Sequence, residues 1–123
     1  MAAAYEEGLV CTTKPANTDL SAKQFYFVAI NSSGYMAVAG AGDADGVLQN
    51  KPSAQYHAAS WAYGGITKVV LGGTVAIGAR VTSDSSGKCV TAGSGEITLG
   101  LCLVGGDSGD IGTILLQRGA SVG

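Results

Sequence analysis

Short runs of β-branched and aromatic residues, each closed by a glycine turn, dominate this chain. Its 123 residues include 20 glycines. Three of the junctions are Gly64-Gly65, Gly72-Gly73 and Gly93-Ser94-Gly95. Branched and aromatic side chains favour strands, whereas glycine and small polar residues favour tight turns. Turns this frequent leave no room for a long helix, so the sequence predicts an all-β fold.

The individual strands follow from the same pattern. The runs at 24–30 and 35–39 flank Asn31-Ser32-Ser33-Gly34, which predicts a hairpin with a four-residue connection. The segment 56–63 alternates imperfectly and suits either a strand or a short helix. After Gly64-Gly65, further strands are expected at a spacing of roughly 8 to 12 residues, typical of a small sandwich or barrel. These strands are expected at 66–71, 74–82, 88–92, 100–104 and 112–118.

Length and composition indicate one small domain. Charged residues make up 13% of the chain and hydrophobic residues 46%, a balance that favours a compact fold over disorder. The seven Lys and Arg residues are scattered and the formal net charge is −2, so no nucleic-acid partner is expected. No run approaches the roughly 20 apolar residues of a membrane helix, so no membrane partner is expected. The first residues lack a signal-peptide pattern, which predicts that the chain stays in the compartment that made it.

The N-terminal segment differs from the remainder. Residues 1–22 have little periodicity and contain a Lys14-Pro15 break, so an extended arm is expected there, followed by a β-rich domain at 23–123. Within the arm, Tyr5, Leu9 and Val10 have little local core to bury in. They are the candidate contacts to a neighbouring subunit, by strand addition or groove filling. The alternative is a frayed terminus.

Two further features are candidate interfaces. The short run Val47-Leu48-Gln49 ends near Pro52, which cannot donate to a sheet and therefore suits a strand edge open to a partner. Trp61 is a large rigid ring of the kind that anchors interfaces. It is equally suited to a core position.

A hydrolase is a weaker interpretation. Gly106-Asp107-Ser108-Gly109 resembles the nucleophile loop of trypsin-like proteases, and His57 precedes it in the required order. Those enzymes, however, are about twice as long, and Asp110 replaces the glycine that normally follows. A polar hairpin turn explains the tetrad, so no catalytic residue is expected.

Metal and cofactor sites are not expected either. Asp43-Ala44-Asp45-Gly46 resembles the start of a calcium loop, but Val47 occupies the third acidic position and the terminal glutamate is missing. Cys11, Cys89 and Cys102 are an odd number at irregular spacings, which indicates neither a disulfide framework nor a metal site. We expect reduced thiols, with Cys89 and Cys102 in the core.

With these residues described, the chain resembles the head decoration proteins, the small capsid cement proteins of tailed phages. The most specific match is the heptad Gly46-Val47-Leu48-Gln49-Asn50-Lys51-Pro52, and the likeness extends in order over most of the chain. It continues through 24–28, 65–69, 73–82, 84–90, 100–103 and 109–116. Cys102 departs from the family pattern, in which alanine is usual.

The resemblance implies a small single-domain β-sandwich or barrel-like protein with an extended N-terminal arm and no cofactor or catalysis. It implies a homotrimer on the outer surface of the expanded phage head, made and assembled in the host cytoplasm. There it would bridge adjacent major capsid protein subunits and stabilise the shell against internal DNA pressure. The alternative is a carbohydrate- or receptor-binding module on a virion or cell, using Trp61, Tyr56 and Tyr63.

Overall fold

A computed structural model describes residues 4–119. Over this range the chain is a small single domain of nine strands without a helix, which confirms the predicted all-β class. No helix in the described residues is therefore long and apolar enough to cross a membrane. The strands are β1 (Glu7–Pro15), β2 (Phe27–Ile30), β3 (Met36–Val38), β4 (Gly46–Leu48), β5 (Ala58–Val70), β6 (Arg80–Ser83), β7 (Cys89–Thr91), β8 (Gly100–Val104) and β9 (Ile111–Leu116).

All nine strands belong to one antiparallel sheet that curls into a half-barrel. The order is β3-β2-β4-β5-β9-β8-β6-β7, and β1 pairs with β5 beside this path. Both ends of the path are covered by the chain itself: Cys89 of β7 bridges Leu71, and Met36 of β3 bridges Ala16. Covering an edge in this way satisfies its backbone groups and prevents unwanted pairing.

The predicted hairpin is confirmed. Strands β2 and β3 pair antiparallel, with Ala29 opposite Ala37. The Asn31 carboxamide oxygen accepts hydrogen bonds from the Ser33 and Tyr35 backbone N–H groups, both at 3.0 Å. Gly34 has φ +85°, which glycine adopts without strain. Asparagine and glycine thus build this turn from local chemistry, which is why the sequence alone could locate it.

Strand β5 joins two segments that the sequence separated at Gly64-Gly65. Gly65 has φ +91°, and a Cβ there would lie 2.2 Å from the Gly8 carbonyl oxygen, so this position requires glycine. Val47 pairs with Ala62, and Val47 and Val69 lie in one core cluster. Ala62 and Val69 are seven residues apart, which strict alternation would place on opposite faces. The glycine pair interrupts the alternation without ending the strand.

Two apolar cores lie on opposite faces of the sheet at β2 and β4. Phe27 and Val47 belong to the larger core, whereas their neighbours Val28 and Leu48 belong to the smaller one. The first half of β2 and all of β4 are therefore buried on both faces. The smaller core consists of Ala16, Leu20, Val28, Met36, Leu48, Ala59 and Trp61.

The N-terminal segment is more integrated than the sequence suggested. Residues Glu7–Pro15 pair with β5, whereas an arm outside the packed domain was expected at 1–22. Ala16 is 0% exposed and Leu20 1% exposed, and both lie in the smaller core. The reason is tertiary, because these isolated apolar residues find a core only after β2, β4 and β5 have assembled.

The expected strand at 74–82 is wrong in its first half. Ala79 N–H donates to the Ala76 carbonyl oxygen at 3.1 Å and closes a turn in which Gly78 has φ +86°. Strand β6 therefore begins at Arg80. The apolar composition of this turn continued that of the neighbouring strands and concealed it.

Candidate binding surfaces

Strand β1 presents an open edge. Among the described residues it pairs with β5 alone. Most of its side chains are exposed, including Val10 at 47%, and Leu9 is partly buried. A free edge of this kind is where an extended segment of another protein can add as a strand. The structure thus leaves Val10 accessible for the predicted contact, and the contact itself stays a prediction.

The residues before β1 are held against the sheet. Tyr5 N–H donates to Thr113 Oγ1 at 2.8 Å, and the same hydroxyl donates to the Tyr5 carbonyl oxygen at 3.1 Å. Glu6 Oε2 accepts from Thr67 Oγ1 at 2.9 Å and from the Lys68 backbone N–H at 3.3 Å. The backbone of Tyr5 is held in place, and 41% of the residue's surface remains exposed. These bonds anchor Tyr5 at the surface beside β9.

The predicted interface at 47–49 is wrong for two of its three residues. Val47 and Leu48 are both 0% exposed and pack within the chain's own cores. Strand β4 lies between β2 and β5, so this segment is not a sheet edge. Gln49 is partly buried, and its side-chain Nε2 donates to Thr67 Oγ1 at 2.7 Å and to the Val47 carbonyl oxygen at 3.2 Å. These contacts give Gln49 a structural role inside the monomer.

The aromatic residues do not form the single exposed surface that sugar binding through Trp61 would need. Trp61 is 8% exposed and lies in the smaller core, where its Nε1 has no hydrogen-bond partner within the described residues. The Trp61 and Tyr63 ring centroids are 5.6 Å apart. Tyr56, 59% exposed, instead packs on Tyr35 at 5.2 Å. The fold therefore separates the buried Trp61 from a tyrosine pair in which Tyr56 is exposed and Tyr35 is partly buried.

His57 and Ser108 do not form a catalytic pair. His57 immediately precedes β5, whereas Gly109, beside Ser108, donates its backbone N–H to Leu71, which follows β5. A strand of 13 residues spans about 40 Å, far beyond hydrogen-bond reach. The Gly106–Gly109 region is a turn in which Asp107 N–H donates to Asp110 Oδ2 at 2.9 Å.

The acidic loop after β3 also has a structural use. Asp45 Oδ2 accepts from the Ile30 backbone N–H at 2.9 Å. Within residues 4–119, no group of three or more His, Cys, Asp or Glu side chains is placed to hold a metal ion.

The thiols divide into one exposed and two buried groups, and all three are free. Burial raises the pKa of the Cys89 thiol strongly, with smaller contributions from Cys102 and Asp84. Burial also raises the pKa of Cys102, which a hydrogen bond with the Val104 backbone partly opposes. Partial burial and then the Glu6 carboxylate raise the pKa of Cys11. The prediction that Cys89 and Cys102 are core residues is confirmed.

A row of residues crosses five strands on the outer face of the sheet, opposite the larger core. Cross-strand pairing aligns Glu7 with Ile66, Ile66 with Leu115, Leu115 with Leu101, and Leu101 with Arg80. The three aliphatic residues are partly exposed, and both end residues are exposed. We call Glu7, Ile66, Leu115, Leu101 and Arg80 the outer row. The sequence analysis missed it, because only the register between distant strands brings these residues together.

Ile77 is another exposed residue that the sequence analysis missed. At 73% exposure, it has the largest value among the exposed large hydrophobic residues of the described chain. It lies in the turn Ala76-Ile77-Gly78-Ala79, which has no polar side chain. Exposed turns are usually polar, so the apolar composition gave no signal that Ile77 lies in an exposed turn.

Comparison with known proteins identifies a shared fold but no family. No family model matches the chain, and no curated protein matches it. Among solved structures, it is similar to the N base of the head fiber protein gp8.5 of bacteriophage phi29. The TM-score is 0.67 at 14% sequence identity, and the match covers 94% of this chain and 99% of that chain. At this identity the likeness concerns the fold.

Proposed function

We propose that this chain is a decoration, or cement, protein on the outer surface of a bacteriophage head. The observation that carries the proposal is the match to a head fiber base over nearly the whole of both chains. The sequence resemblance to phage decoration proteins leads independently to the same location. The protein is then a virion component, made and assembled in the host cytoplasm.

In this proposal the open edge of β1 contacts the major capsid protein. Strand addition would supply main-chain hydrogen bonds, and the exposed Tyr5 and Val10 would add apolar contact. Association as a homotrimer would present three such edges together. Each contact can then be weak, because linked contacts raise the overall affinity.

The function requires binding alone. A ligand that binds the assembled shell more tightly than its separated subunits stabilises the shell by mass action. A protein that bridges neighbouring capsid subunits therefore opposes the outward pressure of packaged DNA. This role needs neither a catalytic residue nor a cofactor, and neither nucleic acid nor membrane takes part.

The test is co-sedimentation of the purified protein with expanded capsids that lack it, followed by heating. We expect saturable binding and a higher rupture temperature for decorated shells. If wild-type protein fails to bind intact expanded shells, the proposed function is wrong.

A matched pair of variants tests the β1 contact. Val10→Asp places a charge on β1 at a position 47% exposed, and Ile97→Asp does so at a position 42% exposed outside β1. We expect Val10→Asp to weaken capsid binding about tenfold, which corresponds to about 1.4 kcal/mol, and Ile97→Asp to bind like wild type. If both variants bind capsids as tightly as wild type, β1 is not part of the capsid contact, but the proposed cement function is not affected.

A carbohydrate- or receptor-binding module is the second candidate. The observation that favours it is the pair formed by the exposed Tyr56 and the partly buried Tyr35, whose rings are tilted by 54°. Aromatic rings with a wet, exposed face suit sugar rings. A glycan array with wild type and Tyr56→Ala tests this candidate, which requires glycan binding that the substitution abolishes.

A further inference from the structure

We propose that the outer row is a self-association surface that binds a second copy of this chain in the reversed direction. In this arrangement Leu115 meets Leu115 of the second copy at the centre, and Glu7 of each copy faces Arg80 of the other. The contact goes beyond capsid binding and does not depend on it.

The centre of the outer row is an apolar strip that is partly exposed among the described residues. Ile66, Leu115 and Leu101 are direct cross-strand neighbours, so their side chains lie about 5 Å apart on one face. Neither of the two core clusters of the described residues includes them. The strip therefore packs against itself and remains partly open to solvent. Contiguous apolar surface of this kind commonly marks an interaction site.

The ends of the outer row carry opposite charges. Glu7 lies on β1 and Arg80 on β6, with β5, β9 and β8 between them. Four strand spacings separate the two Cα atoms by about 19 Å, so the two side chains cannot pair within one copy. Arg80 Nη1 donates to Gln117 Oε1 at 3.2 Å, which holds the guanidinium at the end of the row.

This charge pattern selects the partner and its direction. A second copy with its row reversed places Arg80 over Glu7 at one end and Glu7 over Arg80 at the other. A parallel arrangement would oppose like charges at both ends, which is unfavourable. The reversed contact has two-fold symmetry, so one self-complementary surface serves both copies.

The proposed two-fold contact can be tested by measuring the mass of the assembly in solution. A two-fold contact produces dimers from monomers, and it links trimers into larger assemblies. We would determine the mass of wild type and Leu115→Asp by sedimentation velocity across a range of protein concentrations, without capsids. A lower mass for Leu115→Asp than for wild type is expected, with a halving if the wild type is a dimer of monomers. An unchanged mass in a folded Leu115→Asp protein would overturn the proposal. The variant Ile77→Asp, at a residue 73% exposed outside the row, is the matched control and should keep the wild-type mass.

Charge reversal provides a second test that does not disturb the apolar strip. Arg80→Glu should weaken association about tenfold, because two attractive pairs become repulsive. The double variant Glu7→Arg with Arg80→Glu should restore it, since the ends are again complementary. Failure of the double variant to recover would show that the two residues do not face each other. Since no capsid is present, these results are separable from failure of the proposed function.

Discussion

Gln49 and Thr67 are joined by a side-chain hydrogen bond of 2.7 Å from Nε2 to Oγ1. Thr67 in turn donates to Glu6 Oε2 at 2.9 Å. This chain of bonds connects β4, β5 and the segment before β1. A residue that the sequence assigned to a partner contact thus holds three parts of the monomer together.

Replacing Gln49 should therefore lower stability. Gln49→Leu leaves the Val47 carbonyl oxygen without its side-chain donor and removes a donor from Thr67, which is buried. Loss of partners for buried polar groups costs about 1 to 3 kcal/mol. Urea denaturation should show this loss, whereas Gln55→Leu, at an exposed position, should stay within about 0.5 kcal/mol of wild type. Equal stability of the two variants would contradict this role.

The segment after β1 should be essential to the fold. Leu20 is 1% exposed in the smaller core, so Leu20→Ala should cost about 2 to 5 kcal/mol. Val10→Ala, at a position 47% exposed, should cost no more than about 0.5 kcal/mol. Thermal unfolding followed by circular dichroism compares them. A Leu20→Ala protein as stable as Val10→Ala would indicate that this segment does not pack as described.

Gly65 should resist substitution. Gly65→Ala combines an unfavourable left-handed φ of +91° with a Cβ placed 2.2 Å from the Gly8 carbonyl oxygen. The conformational cost alone is about 1 to 2 kcal/mol, and the backbone clash adds to it. Gly40→Ala is the matched control, since nothing lies within 4 Å of its Cβ position. Chemical denaturation should separate the two variants clearly, and similar midpoints would argue against the close approach of Gly65 to Gly8.

Alkaline pH should destabilise the protein through Cys89. Burial raises the pKa of Cys89 in the folded state above the ordinary value of 9.0. The neutral thiol therefore makes its full contribution to the free energy of unfolding below pH 9.0. As pH rises above 9.0, the unfolded chain loses the proton first, and stability falls by up to about 1.4 kcal/mol per pH unit for this group.

Comparing stability at pH 8 and pH 10 tests this prediction. Cys89→Ala should lose less stability between the two pH values than wild type, even though the substitution lowers stability at both. Cys11→Ala removes an exposed thiol that is far less buried than Cys89, so it should reduce the alkaline loss less than Cys89→Ala does. The same alkaline loss in Cys89→Ala as in wild type would refute the assignment to Cys89.

Local turns were the most predictable part of the fold. The hairpin around Asn31 and Gly34 was located because an asparagine side chain and a positive-φ glycine create the turn by themselves. The turn at Ala76 to Ala79 was missed because its apolar composition continues the pattern of the neighbouring strands. Accessibility was harder to predict, since Tyr5 and Val10 are exposed as expected but Val47 and Leu48 are buried.

By itself, the sequence determined the all-β class and most turns, because backbone preferences of glycine, asparagine and branched residues act over a few positions. The tertiary structure decided which strands are neighbours and in what register. It placed β4 between β2 and β5, which buried Val47 and Leu48. It also aligned Ile66, Leu101 and Leu115 on the outer face. Such contacts join residues far apart in the chain, and they follow from packing the whole sheet rather than from any local preference.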